Sequence, residues 1–109
     1  TITLLPKREF LHVDDLASAV MYAMENELIE DIYNIGTGLD ISIKELVEKI
    51  KFITGYDGEV IWNSSMPDGT PRKLLDISKI KSVGWESKID LKEGLIKTNN
   101  WFKKKLNCE

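Results

Sequence analysis

Apolar positions along this chain change period several times, and each change marks an element. Residues 9–13 carry Leu11 and Val13 in alternation with His12, the pattern of a short half-buried strand. From Asp14, a plausible cap, the spacing becomes helical: Leu16, Ala19, Val20, Ala23 and Met24 fall on one face of a helix running to about residue 27. Residues 32–35 read as a second strand, closed by Gly36-Thr37-Gly38. The helix after it has the clearest start in the chain. Ser42 and Glu45 form a capping box, Ile41 and Leu46 are placed for a hydrophobic staple, and Gly55 stands where a helix-ending glycine belongs. After the turn signal Tyr56-Asp57-Gly58, residues 59–62 read as a third strand. Asp76 opens a short helix that ends at Gly84. Asp90 with Glu93 then makes a second capping box for a last helix with Leu91, Leu95, Thr98, Phe102 and Leu106 on one stripe. Strands alternating with helices predict an α/β fold: about three strands in a small parallel or mixed sheet, four helices, and one domain over residues 1–109.

Between the third strand and the short helix lies Pro67-Asp68-Gly69-Thr70-Pro71-Arg72-Lys73-Leu74-Leu75-Asp76. Two prolines stiffen this loop, Gly69 allows a turn, and Asp76 can cap the short helix. Arg72 and Lys73 are therefore presented from an ordered segment, which suits a phosphorylated small ligand. The alternative is a plain helix start with solvated cations. Arg8 sits just ahead of the first strand, and its guanidinium would join Arg72 and Lys73 on one diphosphate if the two segments meet.

Composition narrows the field. The net charge of −3 argues against generic nucleic-acid binding, and Lys103, Lys104 and Lys105 fall in the last turns of a helix, where cations oppose the negative end of the dipole. No apolar run approaches the ~20 residues of a membrane span. One cysteine, Cys108, and one histidine exclude an internal disulfide and argue against a transition-metal site. The start at Thr1 has no basic segment followed by an apolar core, so we expect a cytoplasmic piece of a longer protein. Gly36-Thr37-Gly38 lacks the third glycine of a dinucleotide fingerprint and reads more simply as a turn. None of Tyr22, Tyr33 or Tyr56 has a lysine four residues on, so a Tyr-Lys acid/base pair is missing. His12 reads as a structural rather than a catalytic histidine, and Asp14-Asp15 as a helix start. No catalytic, cofactor-binding or metal-binding residue is assigned.

Taken together, residues 8–16, Tyr33-Asn34-Ile35-Gly36-Thr37-Gly38, the Pro67 to Asp76 run and Gly84-Trp85 resemble the C-terminal third of the GDP-L-fucose synthases. These belong to the extended short-chain dehydrogenase/reductases, the superfamily of the sugar-nucleotide epimerases. The resemblance implies a substrate-binding portion of an NADPH-dependent epimerase and reductase acting on GDP-4-keto-6-deoxy-mannose. The Rossmann core, the NADP(H) site and the catalytic Ser, Tyr and Lys would lie in an N-terminal domain absent here. By position, Arg8, Asp68 and Lys73 match substrate-binding residues, with Arg72 as a neighbour. Two departures stand out: Thr1-Ile2-Thr3-Leu4-Leu5 replaces a tryptophan and Gly-Ser-Gly stretch, and Met66 replaces a common lysine. The resemblance further implies self-association or need of the missing domain. A non-catalytic nucleotide-sugar binding module and a decayed remnant are the alternatives.

Overall fold

The computed structural model describes residues 5–107. Three short strands, β1 (Lys7–Glu9), β2 (Asp40–Ser42) and β3 (Arg72–Lys73), alternate with four helices, α1 (Val13–Glu25), α2 (Ile43–Thr54), α3 (Ser78–Ser82) and α4 (Leu91–Asn107). The sheet order is β2-β1-β3, with β1 antiparallel to β2 and parallel to β3. The fold is thus α/β with a mixed sheet.

The strands lie elsewhere than the apolar pattern predicts. Residues 32–35 form no strand. Tyr33 and Ile35 instead pack against the core, and Asn34 Nδ2 donates to Asp76 O at 3.3 Å. Residues 59–62 keep the expected alternation, with Val60 and Trp62 half-buried and Glu59 and Ile61 exposed, but form no ladder. The first strand is displaced toward the N-terminus and shares only Glu9 with the expected one. In each case the apolar alternation reports burial against neighbouring side chains. Ladder pairing falls instead to Lys7–Glu9, Asp40–Ser42 and Arg72–Lys73, whose backbones meet: Lys7 N, for instance, donates to Pro71 O at 2.9 Å.

The helix signals hold better. Ser42 Oγ accepts from Glu45 N at 3.2 Å at the start of α2, and Gly55 ends it with φ of +71°. Asp90 Oδ1 accepts from Glu93 N at 2.7 Å at the start of α4. The start of α1 differs from expectation by one residue. His12, in extended backbone, is the cap, its Nδ1 accepting from Asp14 N at 3.0 Å, and Asp14 lies inside the first turn. The short helix α3 begins at Ser78 rather than at Asp76, whose Oδ1 accepts from Ser78 N at 2.9 Å.

The core is small. Ala19, Ile80 and Trp85 are its buried hydrophobic residues, with Leu11, Tyr22 and Ile77 among those packed around them. Polar contacts tie α1 to the 83–89 segment: the Tyr22 hydroxyl donates to Val83 O, Trp85 Nε1 donates to Ser18 Oγ at 3.1 Å, and the buried Asp15 carboxylate accepts from Lys88 N and Ile89 N. The other side of α1 is bare, with Leu16, Val20 and Met24 all exposed. The shape matches this economy of burial, a slab of 49 × 40 × 19 Å with a radius of gyration of 16.9 Å. A compact domain of this length has a radius of about 13 Å. Among the described residues no helix is long and apolar enough to cross a membrane. Of the expected departure over Thr1 to Leu5, residues 1–4 lie outside the described residues, as does Cys108, and Leu5 is exposed.

Candidate anion-binding site

Strand register decides which cations can act together. In the parallel pair, Lys7 stands beside Arg72 and Arg8 beside Lys73. Successive residues of a strand point to opposite faces. Arg8 and Lys73 therefore share one face, and Arg72 projects from the other. There Arg72 Nε donates to Asp40 Oδ2 at 2.5 Å, an ion pair whose carboxylate is largely buried and whose guanidinium is exposed. Of the three cations singled out in the sequence, two come together and the third is neutralised across the sheet.

Arg8 also builds the segment it faces. Its Nη1 donates to Lys7 O and to Thr70 O, both at 2.7 Å, so the guanidinium ties β1 to the turn before β3. A Cβ at Gly69 would lie 3.0 Å from Arg8 Nη2, the far end of a flexible side chain. Asp68, half-buried, lies just before this glycine. Met66 is exposed, where a lysine would have added a further cation. Lys73 is exposed. A cleft of about 400 Å³ is lined by Phe10, Thr37, Ile41 and Leu91 among others, and neither Arg8 nor Lys73 contributes to it. The cation pair lies on an open face of the sheet.

Glu9 was not singled out in the sequence, and it is the most connected acidic residue at this end of the sheet. Its Oε2 accepts from Gly38 N at 2.6 Å and from Thr37 Oγ1 at 3.4 Å, and its Oε1 accepts from Leu75 N at 3.2 Å. This carboxylate leaves no room for a side chain at Gly36, while Gly38 is needed for other reasons. A Cβ at Gly36 would lie 2.6 Å from Glu9 Oε2, and Gly38 has φ of +75° with Ile77 Cδ1 2.7 Å from where its Cβ would be. The turn therefore binds an anion, but an internal one. With Gly38 N committed to a carboxylate, the Gly36-Thr37-Gly38 turn does not fit a dinucleotide phosphate. The sequence signal for Glu9 was present in retrospect: an acid between Arg8 and the apolar Phe10, with a two-glycine turn to receive it.

Asp76 is held below the ordinary carboxyl value of 3.8, first by the backbone hydrogen bond from Ser78 and then by the Ser78 side chain. His12, with its side chain mostly buried, serves the start of α1 and has Asp14 Oδ2 at 3.8 Å. Among the described residues no group of three or more His, Cys, Asp or Glu could hold a metal ion.

Comparison with known proteins places these segments in a family context. The profile of the NAD dependent epimerase/dehydratase family matches residues 2–36. A probable GDP-L-fucose synthase from Oryza sativa subsp. japonica is 52% identical over 97 residues, which cover 89% of this chain and 30% of the rice protein. The crystal structure of a GDP-6-OMe-4-keto-L-xylo-heptose reductase from C. jejuni superposes with a TM-score of 0.86 at 44% identity, covering 94% of this chain and 32% of the reductase. A GDP-mannoheptose C4 reductase from Campylobacter jejuni, solved with NADP bound, gives a TM-score of 0.78 at 45% identity over 93% of this chain and 33% of that one. The resemblance to GDP-L-fucose synthases thus extends over nearly the whole chain, and the fold is that of a part of the extended short-chain dehydrogenase/reductases. The chain spans about a third of the length of the relatives it matches.

Proposed function

We propose that this chain is the C-terminal, substrate-binding portion of an NADPH-dependent GDP-L-fucose synthase, and that Arg8 and Lys73 together meet the diphosphate of a GDP-sugar. The observation that carries this reading is the register of β1 and β3. It puts Arg8 and Lys73 on one face of the sheet, in two of the segments that carry the resemblance. A guanidinium offers a fork of donors to phosphate oxygens, and a lysine adds a mobile point charge. Asp68 would border the nucleotide end of the ligand. Arg72 takes a lesser part, since its charge is already met by Asp40.

Redox chemistry lies outside this reading of the chain. The relatives include a reductase solved with NADP bound and a synthase solved in the presence of NADPH, yet the Gly36-Thr37-Gly38 turn is filled by Glu9. Cofactor and hydride transfer are therefore assigned to the remaining two-thirds of such an enzyme, in the cytoplasm, and the chain by itself is inactive as an oxidoreductase. That remainder, or a second copy of this chain, would cover the bare α1 face of Leu16, Val20 and Met24.

Calorimetry with GDP against guanosine tests the reading. GDP should bind weakly and guanosine more weakly still. The difference should shrink as salt rises from low ionic strength to well above 0.1 M, where the screening length is about 10 Å. Lys73→Gln should weaken GDP binding several-fold, and Arg72→Gln should do so less. Equal affinity for the two ligands would show that the cations do not read the diphosphate.

A further inference from the structure

Something other than its own ladder must hold Lys73 in register beside Arg8. Strand β3 is only two residues long, Arg72–Lys73, and both are exposed, so the pairing with β1 is too short to anchor itself. The segment is nevertheless gripped at both ends. Before the strand, Thr70 O accepts from Arg8 Nη1 at 2.7 Å. After it, Leu75 N donates to Glu9 Oε1 at 3.2 Å. Adjacent residues of β1 thus clamp the segment on either side of Lys73.

Glu9 has a second attachment that gives its clamp a fixed base. Its other oxygen accepts from Gly38 N at 2.6 Å and Thr37 Oγ1 at 3.4 Å, in a turn that Gly36 leaves open for it. That turn leads directly into β2, where Asp40 holds Arg72 at 2.5 Å and keeps it on the far face. The carboxylate joins three segments, residues 36–38, β1 and residues 74–75, around the two-residue strand. We infer that Glu9 is a positioning residue for the anion site: by accepting from Leu75 N and Gly38 N at once, it holds Lys73 beside Arg8. This rests on the reading of that pair as a diphosphate site.

The chemistry of the side chain makes the inference specific. A carboxylate is acceptor-only and can serve donors on both of its oxygens. Glutamine has nearly the same shape, but its NH₂ must face either Leu75 N–H or the 37–38 turn, donor against donor. One attachment is lost and the other is kept. Glu9 itself lies on the opposite face of β1 from Arg8, so it reaches the ligand only through the backbone it holds.

The test compares Glu9→Gln, Lys73→Gln and the double variant in GDP titrations, with amide exchange of Leu75 followed by NMR. In Glu9→Gln we expect faster exchange at Leu75 and GDP binding weakened about five-fold, the loss of one ordinary hydrogen bond. Lys73→Gln should then weaken binding less in the Glu9→Gln background than in the wild type, because a lysine no longer held in place has less to lose. Strictly additive effects would overturn the inference, since a merely structural glutamate would act independently of Lys73. Unchanged exchange at Leu75 would overturn it too. If wild-type protein fails to bind GDP, the diphosphate reading fails. The clamp is then judged on Leu75 exchange alone, faster exchange in Glu9→Gln upholding it. Should Glu9→Gln not fold, Thr37→Val perturbs the same carboxylate more gently and must show the same non-additivity with Lys73→Gln.

Discussion

Replacing Asp15 by alanine should destabilise this chain more than any comparable change on its surface. Asp15 is only 3% exposed on the inner face of α1. Its carboxylate accepts from Lys88 N at 3.1 and 3.2 Å and from Ile89 N at 3.0 Å, and so fastens the segment leading into α4 onto the first helix. A hydrogen bond to a charged group contributes about 1.5–3 kcal/mol. Two such donors would give about twice that, but Lys88 is exposed, and water can replace part of what it loses. We therefore expect Asp15→Ala to cost about 2–4 kcal/mol. Asp15→Asn, which keeps one acceptor oxygen, should cost roughly half as much. These are large fractions of the ~5–15 kcal/mol by which a chain of this length is stable, and the small buried cluster of Ala19, Ile80 and Trp85 argues for the low end of that range. Urea titration followed by tryptophan fluorescence is the assay. Trp85, 4% exposed and bonded to Ser18, reports directly on the helix that Asp15 anchors. An Asp15→Ala midpoint shift worth less than about 0.5 kcal/mol, at unchanged slope, would refute the reasoning, because it would show that the buried carboxylate is not what joins α1 to the 88–89 segment.

Two other predictions concern the bare helix face and the Asp76 carboxyl. With Leu16, Val20 and Met24 exposed at 47%, 53% and 75%, the chain should self-associate across a micromolar concentration series in light scattering. Val20→Lys should suppress this, and a clean wild-type monomer at high micromolar concentration would show that this face needs no cover. The Asp76 carboxyl, held below 3.8 by Ser78, should keep its contact with α3 at all pH values above 3.8 and lose it only as pH falls through its lower folded value. An NMR titration of the Asp76 side-chain carbon with a midpoint at or above 3.8 would contradict the hydrogen bonds seen there.

The starts of α2 and α4 were legible in the sequence because their causes are local. A capping box spans four residues, and Ser42 with Glu45 and Asp90 with Glu93 act as their spacing predicts. Three of the expected ligand-facing residues, Arg8, Arg72 and Lys73, were legible as cations near a stiffened loop. Their division into a pair and an outlier was not. That division rests on a parallel register between residues more than sixty positions apart, and nothing within either segment specifies which neighbour the other will meet. The same holds for the strands. Residues 32–35 and 59–62 have the apolar alternation of strands and form none, while the charged Lys7–Glu9 and Arg72–Lys73 do. Alternation measures one-sided burial, whereas a ladder needs a backbone partner, and only the tertiary structure supplies one. Glu9 is the plainest instance. By sequence it is a charge beside an arginine, and it becomes the joint of three segments once folding brings Gly38 and Leu75 to its two oxygens.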